Sequence, residues 1–100
     1  MSDALFADRD RRPTARRVLV SGAVQGVFFR DSCRRIALGS GVAGWVRNWS
    51  DGSVEAWFEG SVEPVHRLVA WCREGPAGAS VTSIEVSEVD PSGEVGFRVR

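Results

Sequence analysis

The sequence contains no lysine and a single histidine, His66, and these two scarcities remove several kinds of chemistry at once. Without lysine there is no Schiff base and no lysine general base, and every basic side chain is a planar, permanently charged arginine. Cys33 and Cys72 are too few and too far apart for a disulfide framework or a Cys-x-x-Cys metal site, so both are expected as reduced thiols packed like small hydrophobes. The acidic residues are scattered, and no ligand cluster of recognised spacing exists, so neither a metal nor another cofactor is expected. Net charge is missing as well: 13 basic residues against 13 acidic ones leave no long-range field to gather nucleic acid or anionic lipid. No apolar run approaches the roughly 18 residues of a membrane span, and residues 1–17 carry no signal-peptide core, so a cytoplasmic protein is expected.

What is present is globular. With 100 residues, 43% of them apolar and 26% charged, the chain has the size and composition of one domain. A domain this short buries only about 60–65% of the surface its unfolded chain exposes, so a two-layer object with a shallow, loop-built site is expected. The first 15 residues, with Asp8, Arg9, Asp10, Arg11, Arg12 and Pro13, are of mixed charge and without periodicity; they read as a disordered tail before a domain at 16–100.

Val18-Leu19-Val20 reads as a buried strand ended by Ser21-Gly22, and Gly22-Ala23-Val24-Gln25-Gly26 as the loop it feeds. From Phe29 onward, Phe29, Cys33, Ile36, Ala37 and Ser40 fall at helical spacing, with the stop at Gly39 to Gly41. Two strands are expected over 42–49 and 53–60, joined by the turn signal Ser50-Asp51-Gly52. In the second, Val54, Ala56 and Phe58 alternate with Glu55, Trp57 and Glu59, which predicts one buried face. A second helix is expected over 62–73 on the stripe Val62, Val65, Leu68, Val69 and Cys72, with Pro64 tolerated in its first turn. A strand over 81–89 and a short one carrying Val95, Phe97 and Val99 complete the pattern. The order βαββαβ plus a terminal strand predicts an α+β, ferredoxin-like two-layer α/β sandwich with a mainly antiparallel sheet and two helices on one face. Such a fold hosts many functions, so the site has to choose among them.

Two stretches carry chemistry. Between Ser21 and Arg30 a strand runs through two glycines into a helix start, which lets main-chain N–H groups converge and adds the positive end of the helix dipole. Arg30, in the first helical turn, supplies a planar fork matching phosphoryl oxygens. On its own a glycine-containing turn is a weak motif, and neither a Walker loop nor a dinucleotide fingerprint is present. In the second stretch, Gly44 to Gly52, Asn48 closes a strand just before a tight turn, where its amide can both donate and accept.

Taken jointly, Gly22-x-Val24-Gln25-Gly26-Val27-x-Phe29-Arg30 and Gly44-x-Val46-x-Asn48-x-x-Asp51-Gly52-x-Val54, with Gly60, Gly75-Pro76 and Gly96-Phe97, closely resemble the paired signature of the acylphosphatase family. The resemblance spans about residues 16 to 100. It implies hydrolysis of a small-molecule acyl phosphate, with phosphate bound by the main chain of Val24, Gln25, Gly26, Val27, Phe28 and Phe29 together with Arg30, and water oriented by Asn48. Ala23 stands where relatives often carry a larger, frequently basic residue, and Asp31-Ser32 replaces an aromatic that many place after the arginine. These departures bear on substrate preference. A monomer is expected from size.

Two other readings compete. A single-stranded nucleic-acid module on the same fold is suggested by Phe28, Phe29 and the four tryptophans Trp45, Trp49, Trp57 and Trp71, but the absence of net charge and of a basic face opposes it. A phosphate sensor that has lost the chemistry is opposed by the presence of Asn48 beside Arg30. Trp71 is expected near the core edge, Trp49 and Trp57 as partly buried sheet residues on the outward phase, and His66 at the surface.

Overall fold

The structure is a computed structural model and describes residues 12–100. Its elements are β1 (Thr14–Ala23), α1 (Phe29–Ser40), β2 (Ala43–Asn48), β3 (Val54–Gly60), α2 (Val62–Cys72), β4 (Ser80–Val89) and β5 (Phe97–Val99). The sheet runs in the order β4-β1-β3-β2-β5, with every neighbouring pair antiparallel except β2 and β5. This is the ferredoxin-like sandwich expected from the element order, with β5 added at the edge of β2. Among the described residues no helix is long and apolar enough to cross a membrane.

β1 is longer than the sequence suggested at both ends. Much of the expected tail lies outside the described residues, but Thr14 and Ala15, assigned to it, open β1 and pair with Gly60 and Glu59 of β3. As an inner strand, β1 is drawn out by partners on both sides. Its far end continues to Ala23 through a register shift at Ser21/Gly22, so Gly22 and Ala23 are strand and not loop. Gly22 makes that possible: its φ is +124°, and a Cβ there would sit 2.2 Å from the Ser80 carbonyl oxygen and 2.8 Å from the Thr82 nitrogen.

The core lies between the sheet and its two helices. Val18, Val20, Val46, Val54, Ala56 and Phe58 face Phe29, Cys33 and Ala37 of α1 and Val65, Leu68, Val69 and Cys72 of α2. Val62, counted in the second stripe from sequence, is exposed instead; it is the first residue of α2, where the helix has not yet reached the sheet. Trp71 packs at the core edge, its ring 5.0 Å from that of Phe29.

The other face of the sheet departs from simple alternation. Glu55 and Glu59 are each only 6% exposed, although they occupy the phase expected to meet solvent. Buried carboxylates need partners, and both have them. Glu55 is paired with Arg17 and accepts from Trp49 Nε1 at 2.9 Å. Glu59 accepts from Trp57 Nε1 at 3.0 Å and from the successive main-chain N–H groups of Ser92, Gly93 and Glu94 at 2.9, 2.8 and 2.9 Å. That clasp pins the β4–β5 connection across the sheet. Trp57 is partly buried and stacks on Trp45 at 6.3 Å, whereas Trp49 at the strand end is 40% exposed.

Burial pushes the Glu59 carboxyl up, but the donors from Trp57, Ser92, Glu94 and Gly93 outweigh it and hold the group below the ordinary glutamate range. A depressed folded-state value means stabilisation that is complete above the unfolded value of about 4.3 and is lost as pH falls through the lower folded one. Glu59→Gln is therefore expected to cost about 1–3 kcal/mol at neutral pH and to make the acid limb of stability shallower, as read by urea denaturation at a series of pH values.

Candidate active site

The strand order creates the site. β3 lies between β1 and β2 and runs opposite to both, so the ends at which β1 and β2 finish lie on the same side of the sheet. Val54 of β3 pairs with Val20 on one side and Asn48 on the other. Asn48 therefore stands two strand spacings, roughly 10 Å, from the strand that feeds the glycine loop. Gln25 spans the gap. Its Nε2 donates to the carbonyl oxygens of Trp49 at 2.7 Å and Ser53 at 3.0 Å, tying the loop to the β2–β3 turn. The turn is braced internally, because Asp51 Oδ1 accepts from the Ser53 hydroxyl at 2.6 Å and the Ser53 N–H at 3.0 Å. Those two bonds, the hydroxyl's first, hold the Asp51 carboxyl below the usual aspartate range.

The loop itself is short of internal partners. The Val24 N–H donates to the Gly22 carbonyl at 3.0 Å, and the next main-chain bond is that of Ser32 N–H to the Phe28 carbonyl at 3.0 Å, which opens α1. Among the described residues the N–H groups of residues 25–31 between them meet no protein acceptor. Phe28 occupies the N-cap and offers no side-chain oxygen to the first turn, so the positive end of the helix is left uncapped. Phe28 also has φ 61° and ψ 28°, the only positive φ of a non-glycine residue in the described chain. That left-handed backbone costs about 1–2 kcal/mol for a residue with a Cβ, and local strain of this kind concentrates at functional loops.

A cavity of about 270 Å³ opens here, at the small end of ligand pockets. Arg30, Asn48, Val24, Gln25, Gly26, Phe28 and Phe29, named from two separate stretches of sequence, all line it. Val27 does not: its side chain packs against the core. Val24 lines the cavity, but its N–H is already committed to Gly22. Arg30 is half-buried in the first turn of α1 and makes no ion pair among the described residues. Asp31 is a lining residue to which the sequence assigned no role at the site; it is exposed, with Arg35 Nη2 3.9 Å from its Oδ2. The bridging role of Gln25 also escaped sequence reasoning, since its two acceptors are brought to it only by the strand order.

Other reactive groups stand apart. His66 is exposed on α2, and Cys33 and Cys72 are fully buried in the core. Burial pushes the Cys72 thiol up to about 12, and it raises Cys33 well above the ordinary thiol value with a further contribution from Cys72. Neither is a nucleophile at neutral pH. The cavity thus combines one fixed cation, a run of unpaired N–H groups, the carboxamides of Gln25 and Asn48 and the exposed carboxylate of Asp31, and neither histidine nor cysteine lines it. An arginine and a run of unpaired N–H groups are the kind of lining that suits a small oxyanion.

Fold and site together define a ferredoxin-like domain with a small cavity where β1 enters α1. The sequence model of the acylphosphatase family matches residues 16–99. The acylphosphatase of Rubrobacter xylanophilus is 59% identical over 85 residues, covering 84% of this chain and 77% of that relative. Among solved structures, an acylphosphatase from Coxiella burnetii superposes with a TM-score of 0.84 at 41% identity, covering 88% of this chain and 93% of that one. The acylphosphatase of Bacillus subtilis gives 0.83 at 34% identity, with 87% and 98% covered. The chain belongs to the acylphosphatase family. It is an enzyme, and its reaction is the hydrolysis of an acyl phosphate to a carboxylate and inorganic phosphate.

The Gln25 bridge gives a direct test of how the site is assembled. Gln25→Glu keeps the shape but replaces the donor with an oxygen facing two carbonyls. Stability is expected to fall by about 1 kcal/mol and kcat/KM for benzoyl phosphate by roughly tenfold to a hundredfold through misplacement of the loop against Asn48; steady-state kinetics and thermal denaturation read the two effects.

Proposed function

We propose that the transferring phosphoryl group is held by Arg30 and the main-chain N–H groups of Gln25, Gly26, Val27, Phe28, Phe29 and Arg30, while Asn48 orients the attacking water. The observation that carries this reading is the opening of Arg30, Asn48 and an uncapped helix start onto one cavity. An acyl phosphate brings its own good leaving group, the carboxylate, so neither a strong acid nor a covalent nucleophile is needed. The loose phosphoryl-transfer transition state spreads charge over three equatorial oxygens. Donors fixed in place before reaction follow that charge without reorganising, which is where most of the stabilisation arises.

Asn48 is a neutral amide and does not titrate near neutral pH, so it works by position: its oxygen accepts from water and its NH2 donates, setting the water in line with the departing carboxylate. The water's proton passes to a phosphate oxygen or to solvent. The mechanism uses residues of one chain, needs no metal and draws on no nucleic acid, and we place the enzyme in the cytoplasm as a monomer. Zero net charge supports the absence of a polyanion partner.

Two outcomes are expected. Arg30→Ala raises KM and lowers kcat, a combined loss in kcat/KM of about 100- to 1,000-fold, whereas Asn48→Ala lowers kcat by a similar factor with little change in KM. An Asn48 variant turning over at the parental rate overturns its assigned role. Hydrolysis of benzoyl phosphate is also expected to survive EDTA; loss with chelator and recovery with Mg²⁺ refute the metal-free scheme.

A further inference from the structure

Three apolar residues line the cavity, and they differ sharply in what they can offer a ligand. Val24 is fully buried, and Phe29 is 2% exposed with its ring against Trp71. Phe28 is 79% exposed. Of the apolar side chains that line the cavity, Phe28 is therefore the one with surface left to offer; it lies two residues before Arg30, on a left-handed backbone that glycine would adopt at lower cost. Neither core packing nor helix capping accounts for a phenylalanine there.

We propose that Phe28 is a specificity-determining residue whose ring contacts the acyl group of the substrate, so that the enzyme favours aromatic and large apolar acyl phosphates over acetyl phosphate. The inference rests on the proposed placement of the phosphoryl group at Arg30. With that group at the polar side of the cavity, the acyl carbon chain has to leave toward the opening, where the exposed ring stands. A methyl group offers little area to it. A benzoyl ring offers an aromatic contact, and contacts of this kind shift an equilibrium by roughly two- to tenfold. The polar groups treat the phosphoryl end of every substrate alike, which leaves discrimination to the one lining residue that meets the remainder.

The test is the ratio of kcat/KM for benzoyl phosphate to that for acetyl phosphate, measured for the parent and for Phe28→Gly, Phe28→Leu and Phe28→Trp. Effects on the loop main chain act on both substrates and cancel in the ratio. Phe28→Gly, which also suits the backbone, is expected to lower the ratio about two- to tenfold, with Phe28→Leu between it and the parent and Phe28→Trp at or above the parent. The inhibition constant of inorganic phosphate, which has no acyl group, is read alongside and is expected to change by a smaller factor than the ratio. A ratio that stays constant across the series overturns the inference alone, as does one that follows the inhibition constant. Failure of the parent to turn over either substrate overturns the catalytic reading and the inference with it.

Discussion

The intercalation of β3 between β1 and β2 is the constraint on which the site depends. Because β3 runs opposite to both neighbours, the crossover through α1 returns the chain parallel to β1 and two strand positions away, with β3 between them. The loop leaving β1 and the last residue of β2 are thereby placed at one end of the sheet. Val54 sets the row that contains Val20 and Asn48, and the Gln25 amide closes the remaining distance with bonds to Trp49 and Ser53. Phe29 serves the same end from below, filling the core against Trp71 and so fixing the start of the helix that carries Arg30.

The chemistry asks little of a small domain. Since the leaving group departs as a stable carboxylate, catalysis on the proposed reading reduces to holding an anion and a water in relation to one another, a task main-chain N–H groups can share without occupying side-chain volume. What they require is a backbone that declines its usual partners. Phe28 at the N-cap leaves the first turn of α1 without a side-chain acceptor, at a conformational cost that the packed helix behind it sustains. For the phosphoryl contact proposed for Arg30, arginine suits better than lysine, because a planar fork can meet two oxygens at fixed geometry and its charge does not titrate.

The helix-free face of the sheet shows how a thin sandwich protects its second surface. Glu55 and Glu59 are buried by what they bind: an arginine and an indole for the first, an indole and three consecutive main-chain N–H groups for the second. Trp45 and Trp57 stack across β2 and β3, with the Arg100 guanidinium 4.6 Å above Trp45 and that of Arg47 4.1 Å from the Trp49 ring. Of the four tryptophans that suggested base stacking from the sequence, Trp45, Trp49 and Trp57 are thus engaged on the sheet, the indole N–H groups at positions 49 and 57 spent on glutamates, and Trp71 packs from α2 against Phe29.

Local pattern determined a good deal. The helical stripes through Phe29, Cys33 and Ala37 and through Val65, Leu68 and Cys72 record helix period directly, and the Asp51-Gly52 turn with its alternating strands marks a hairpin; burial and turn geometry act over a few residues, so the order βαββαβ was readable from them. The paired motifs likewise singled out Arg30 and Asn48. The extent of β1 through Thr14 and Gly22, the burial of Glu55 and Glu59, the meeting of the two motifs at one cavity and the reach of Gln25 were decided only by tertiary structure. Each of these depends on which strand or loop lies alongside, and that is set by long-range pairing, to which no window of neighbouring residues is sensitive.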